Sequence, residues 1–205
     1  RPPRSTLFPY TTLFRSGILQ LLFNAADLIV IGQFSETSTQ SLAAVSSNVA
    51  LINLVINVVI GLSIGTNVVM SQAIGARDEK RAQNTVHTSV LLSLIGGTVV
   101  GLVGVFCARY FLVWMKTDPE ILDKATDYLF IYFIGTPAAV LYNFGASILR
   151  AKGDTKRPLV YLTIAGVINV ALNLIFVIVV KLDVEGVAIA TIVSQYISCK
   201  SDSCV

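Results

Sequence analysis

From Gly17 onward, apolar residues run almost without interruption, and short polar clusters divide them into six blocks. A membrane-crossing helix needs about 20 mainly apolar residues, because a rise of ~1.5 Å per residue must span ~30 Å of hydrocarbon. By that measure the blocks predict helices over 17–34, 42–75, 82–115, 119–151 and 157–180, and a sixth that begins near Val184 and fades by Ser198. The second, third and fourth exceed one crossing, so they must tilt, bend or extend beyond the bilayer. Gly61, Gly65 and Pro137 are the candidate bend points. Gly61 with Gly65, and Gly97 with Gly101, are small residues four apart, a spacing that lets helices approach closely. The expected fold is all-α, a polytopic six-helix transmembrane bundle.

The first sixteen residues break the pattern. They carry Arg1, Arg4, Arg15 and three prolines, with no helical period. Pro9, Tyr10, Thr11 and Thr12 interrupt the apolar core that a signal peptide needs. The run TLFPYTTLFRS resembles the in-frame translation of a common sequencing adapter. Residues 1–16 are therefore expected to be non-native and disordered. Residues 17–198 are expected to form the transmembrane lobe, with a truncated last helix, and 199–205 a polar tail.

Charge supports a membrane and sets an orientation. The chain is 54% hydrophobic and 13% charged, where soluble domains average about 25% charged. The loop after the second helix carries Arg77, Lys80 and Arg81; that after the fourth carries Arg150, Lys152, Lys156 and Arg157. The intervening connections hold fewer: none after the first helix, Lys116 and Lys124 after the third, Lys181 after the fifth. This alternation predicts a multi-pass cell-membrane protein with a cytoplasmic N-terminus. Arg109, near the other end of the third helix, is expected to snorkel. Positive-inside placement accounts for the basic loops, and a net charge of +3 gives no case for nucleic acid.

Enzyme chemistry finds no support. Cys107, Cys199 and Cys204 lack metal-ligand spacing, and His87 stands alone. No Gly-rich phosphate loop or nucleophile elbow is present. The expectation is a protein without catalytic residues, bound metal or cofactor.

The polar residues inside apolar blocks carry the remaining information. A charged group at mid-bilayer costs at least ~2.5–3.5 kcal/mol and usually faces the bundle interior. Asp27 lies between Leu21-Leu22 and Leu28-Ile29-Val30-Ile31, with no basic residue within helical reach. Such a carboxylate can take up a proton or bind a bare monovalent cation; alternatively it only hydrogen-bonds a neighbouring helix. Asn169 and Asn173, four apart, share a helix face. They either ligate a cation and tune Asp27 or serve as polar glue between helices. Thr191 faces inward if Ile189 and Ile192 face lipid. Asn24, one turn before Asp27, and Asn143 are accessory candidates; Asn53, Asn57 and Gln195 are further buried polar candidates.

The stretches NAADLIVIGQF…SLAAVS, GLSIGTNVVMSQAIGA, ILRAKGDTKRPL and GVINVALNLIFVI…GVAIATIVSQ together resemble the multidrug and toxic compound extrusion (MATE) family of cation-coupled antiporters. The resemblance covers about residues 17–198. It implies one six-helix bundle of a two-bundle transporter, with a C-terminal six-helix lobe missing here. It implies a proton or cation site at Asp27, with Asn169, Asn173 and Thr191 around it. Many members carry Asp where this chain has Asn173, which leaves H⁺ or Na⁺ open as the coupling ion. The implied partners are small amphipathic organic substrates, the coupling cation and the lipid bilayer. The alternative is a lipid-linked saccharide flippase of the wider superfamily. Its diphosphate would call for several Lys or Arg in the cavity, and the membrane-embedded stretches offer almost none.

Overall fold

The computed structural model describes residues 8–34, 38–182 and 184–203. Every regular element among them is helical. The helices are α1 (Phe8–Phe34), α2 (Ser38–Gly75), α3 (Glu79–Trp114), α4 (Pro119–Ala151), α5 (Lys156–Leu174) and α6 (Val184–Ser203), with a π-helical turn at Ile175–Val179 after α5. α4 falls where the sequence places it. α2 and α3 begin a few residues earlier, because the polar turns at 38–41 and 79–81 are already helical. Five helices are long and apolar enough to cross a membrane, and Val184–Ile197 is a shorter apolar helix. At ~1.5 Å per residue, the 38 residues of α2 extend about 57 Å, nearly twice the hydrocarbon thickness.

Two expectations at the chain ends are corrected. Residues 8–16, set apart as disordered, continue α1 without a break. Pro9 stands at the second position of that helix, where a missing N–H costs nothing. Residues 199–203, assigned to a polar tail, extend α6. Residues 1–7, 204 and 205 lie outside the described residues.

α4 is the centre of the bundle. Its buried face includes Ala125, Tyr128, Leu129, Tyr132, Phe133, Val140, Phe144 and Leu149. It packs against α2, α3 and α6. α3 meets it through glycines: a Cβ on Gly97 would stand 2.8 Å from Pro137 Cα, and one on Gly101 2.9 Å from Phe133 O. These separations forbid a side chain, so the small residues set the interhelical distance. Gly61 and Gly65 do not share this role, because a Cβ there meets nothing within 4 Å. The outer faces of α2 and α3 expose Leu54, Val58, Leu62, Phe106 and Tyr110, as expected where lipid replaces water.

Helix ends explain the connections. α2 stops at Gly75, where the sequence places its end; the left-handed residue that turns the chain is Arg77 (φ 53°), and Asp78 N–H donates to Ala73 O at 3.0 Å. Asp78 then caps α3 by accepting from Arg81 N–H at 2.9 Å. At the next basic loop, Gly153 (φ 85°) makes the turn. Asp154 accepts from the N–H groups of Lys156 and Arg157, opening α5. Arg109 does not stand alone: it pairs with Asp123 of α4 at 3.0 Å.

Candidate functional site

α1, α5 and α6 bring four polar side chains to one place. Asp27 sits in the second half of α1, half-buried on the face turned to the bundle. One α5 turn separates Asn169 from Asn173, and both are buried, Asn173 completely. Thr191 of α6 completes the group. Asn173 Nδ2 donates to Asp27 Oδ1 at 2.5 Å and to Asn169 Oδ1 at 3.3 Å. The Thr191 hydroxyl donates to Val187 O at 2.9 Å, within its own helix.

The Asn169 amide has two arrangements. In one, Nδ2 donates to Thr191 Oγ1 at 3.2 Å. Its Oδ1 then faces Asp27 Oδ1, and two oxygens so placed need a proton or a cation between them. In the other, the amide is turned: Nδ2 donates to Asp27 Oδ1 at 2.8 Å, and Oδ1 accepts from Thr191 Oγ1 at 3.2 Å. That arrangement suits an ionised carboxylate. It satisfies both ends of the amide and is the better of the two arrangements.

Oxygen donors dominate. Asp27 and Thr191 offer oxygen to the cluster, and Asn173 Oδ1, at the end of its amide away from Asp27, is buried with no hydrogen-bond partner. Hard cations take oxygen ligands, whereas transition metals favour nitrogen and sulfur. Among the described residues, no group of three or more His, Cys, Asp or Glu could hold a metal.

The accessory candidates do not join the cluster. Asn24 is exposed, because three residues before Asp27 its side chain is turned off the bundle face. Asn143 spends its amide on Ala139 O at 2.8 Å, within α4. Asn53 and Asn57 are exposed, not buried. Ile192 does not face lipid: it packs on Gly135, where a Cβ would approach its Cγ1 to 2.5 Å. α6 is wedged between α4 and α5, so both flanks of Thr191 meet protein. One site neighbour was missed. Tyr128 of α4 is buried within electrostatic reach of Asp27, and Tyr132 stands near it one turn on. Their spacing in DYLFIYF was the available signal; on an apolar helix it reads as core.

The chain is thus a bundle of apolar helices that holds one carboxylate among amides and a hydroxyl. Residues 13–175 match the MatE family, and the chain belongs to it. It is 34% identical over 181 residues to the probable multidrug resistance protein YpnP of Bacillus subtilis (strain 168), covering 88% of this chain and 40% of that protein. It is 30% identical over 186 residues to the probable multidrug resistance protein YoeA of the same organism, with coverages of 89% and 40%. A crystal structure of MATE in the straight conformation superposes with a TM-score of 0.87 at 27% identity, covering 97% of this chain and 44% of that one. The chain thus spans about 40% of the length of these relatives.

Proposed function

We propose that this chain is the ion-coupling lobe of an antiporter that exports amphipathic organic compounds. The observation that carries the reading is the convergence of Asp27, Asn169, Asn173 and Thr191 from three helices. A proton or Na⁺ taken up at Asp27 would change the charge of a site shared by α1, α5 and α6. Coupling follows if the ion binds two transporter conformations with different affinity.

The proposal includes a second six-helix lobe, with the substrate cavity between the two. By the positive-inside rule, the loops holding Arg77 and Lys152 lie in the cytoplasm, and so does the N-terminus. The flippase reading is weaker. Lys80, Arg81, Lys124, Arg150, Lys156 and Arg157 all stand near helix ends, and Arg109 is paired with Asp123. No described mid-span residue could hold a diphosphate.

The test is Asp27→Asn in the two-lobe protein, measured as drug efflux driven by an imposed pH or Na⁺ gradient. Asn keeps size and hydrogen bonding but cannot change charge state. Efflux should fall at least tenfold at normal membrane expression, and Asp27→Glu should retain part of it. Near-normal efflux by the Asn variant would return Asp27 to a purely structural role.

A further inference from the structure

α1 is lightly held. Leu21, Leu22 and Ile29 are exposed, and its packing contacts run mainly to α5 and α2. On the α5 side there are two contacts, about one turn apart along α1 and about two turns apart along α5. The upper is Asp27 with Asn173. The lower is Phe23 with Gly166: a Cβ on Gly166 would overlap the Phe23 ring at Cε2, Cζ and Cδ2. Phe23 is four residues before Asp27, and Gly166 is three before Asn169, so both contacts fall on the same pair of facing stripes. Gly166 is buried, and its hydrogen is the only substituent that lets the ring lie against the α5 backbone.

The geometry points to Phe23 and Gly166 as positioning residues that fix how closely α1 brings Asp27 to Asn169 and Asn173. A direct hydrogen bond between Asn173 and Asp27 demands a definite helix separation. A ring seated on bare backbone supplies one, since packed surfaces tolerate little compression. The seated ring makes the separation a property of shape. The inference rests on the reading of Asp27 as the coupling group, and it concerns what holds that group in place.

The two sides of the contact can be altered separately. Gly166→Ala overfills it and should wedge α1 away. Phe23→Ala empties it and should leave α1 unsupported. Phe23→Leu lacks the Cε2 and Cζ atoms, the two that a Cβ at Gly166 would strike hardest, and its remaining Cδ atoms are free to turn aside. It should therefore reseat α1 when combined with Gly166→Ala, something a general loss of stability would not allow.

The readout is the rate at which an apolar carbodiimide labels Asp27 in the purified 205-residue chain at one fixed pH. Labelling is located by peptide mass spectrometry, and folding is checked by size exclusion. Gly166→Ala should raise the Asp27 rate at least threefold, and adding Phe23→Leu should bring it back below that threshold. A smaller rise, or no return in the double variant, overturns the proposal. If Gly166→Ala yields no folded protein, Phe23→Ala decides alone: a threefold rise supports the proposal and a smaller one overturns it. The labelling requires neither transport nor an ion gradient. Its failure is thus separate from failure of the coupling role, which Asp27→Asn efflux tests.

Discussion

Asn173 Nδ2 donates to Asp27 Oδ1 across 146 positions of sequence, tying α5 to α1 at mid-bundle. The bond leaves the opposite end of the Asn173 amide, Oδ1, buried and unpartnered. A buried acceptor left unmade costs about 1–3 kcal/mol. Asn173 Oδ1 thus sits where packing alone would prefer an apolar group.

The α3–α4 contact gives a stability test. Gly101→Ala would place a methyl group 2.9 Å from the Phe133 carbonyl oxygen, a backbone atom that cannot step aside. Overfilling of this kind costs about 1–3 kcal/mol. We expect a lower thermal midpoint for the purified chain in detergent. Gly61→Ala should not lower it, because nothing lies within 4 Å of the added carbon and alanine is the better helix former.

A second test concerns the turn into α5. Asp154 accepts from Lys156 N–H and Arg157 N–H, each at 3.2 Å. It also pairs with Arg157 Nε at 2.9 Å. The capping role is the larger one, since an exposed ion pair contributes about 0–1 kcal/mol and a lost N-cap costs about 0.5–2 kcal/mol. Asp154→Asn keeps a capping oxygen and should be nearly neutral, whereas Asp154→Ala should destabilise by about 1 kcal/mol. Chemical or thermal unfolding of the two variants side by side checks the order.

Element existence was legible because a membrane helix announces itself as an apolar block. The bounds of α4 were legible because Asp118-Pro119 opens it and Gly153 follows its end. The starts of α2 and α3 were not, since their first turns are polar and stand outside any apolar window. The π-turn at Ile175–Val179 left no mark, because IFVIV suits an α-helix equally well. Within the site, the spacing of Asn169 and Asn173 placed them on one face. Their meeting with Asp27 was implied only by resemblance, because no local pattern connects α1 to α5. Asn24 is exposed although it lies one turn before Asp27, because at that turn it is Phe23 that meets α5.

The last prediction returns to Asn173, where the family often has a carboxylate. Asn173→Asp would set a second carboxyl group within hydrogen-bond reach of Asp27. Two carboxylates at that separation cannot both stay ionised without a counter-charge, so they share a proton or hold a cation between them. Asn169 and Thr191 would supply further oxygens to such a cation. In the two-lobe protein, Asn173→Asp should therefore make efflux more dependent on Na⁺, by at least threefold in the ratio of Na⁺-driven to pH-driven rate. Asn173→Leu tests the other side, removing both the donor to Asp27 and the free Oδ1 while filling the same space. It should cost at least tenfold in efflux driven by either gradient, with little loss of folded protein. An unchanged Na⁺ ratio for the Asp variant, or near-normal efflux for the Leu variant, would place Asn173 outside the coupling site.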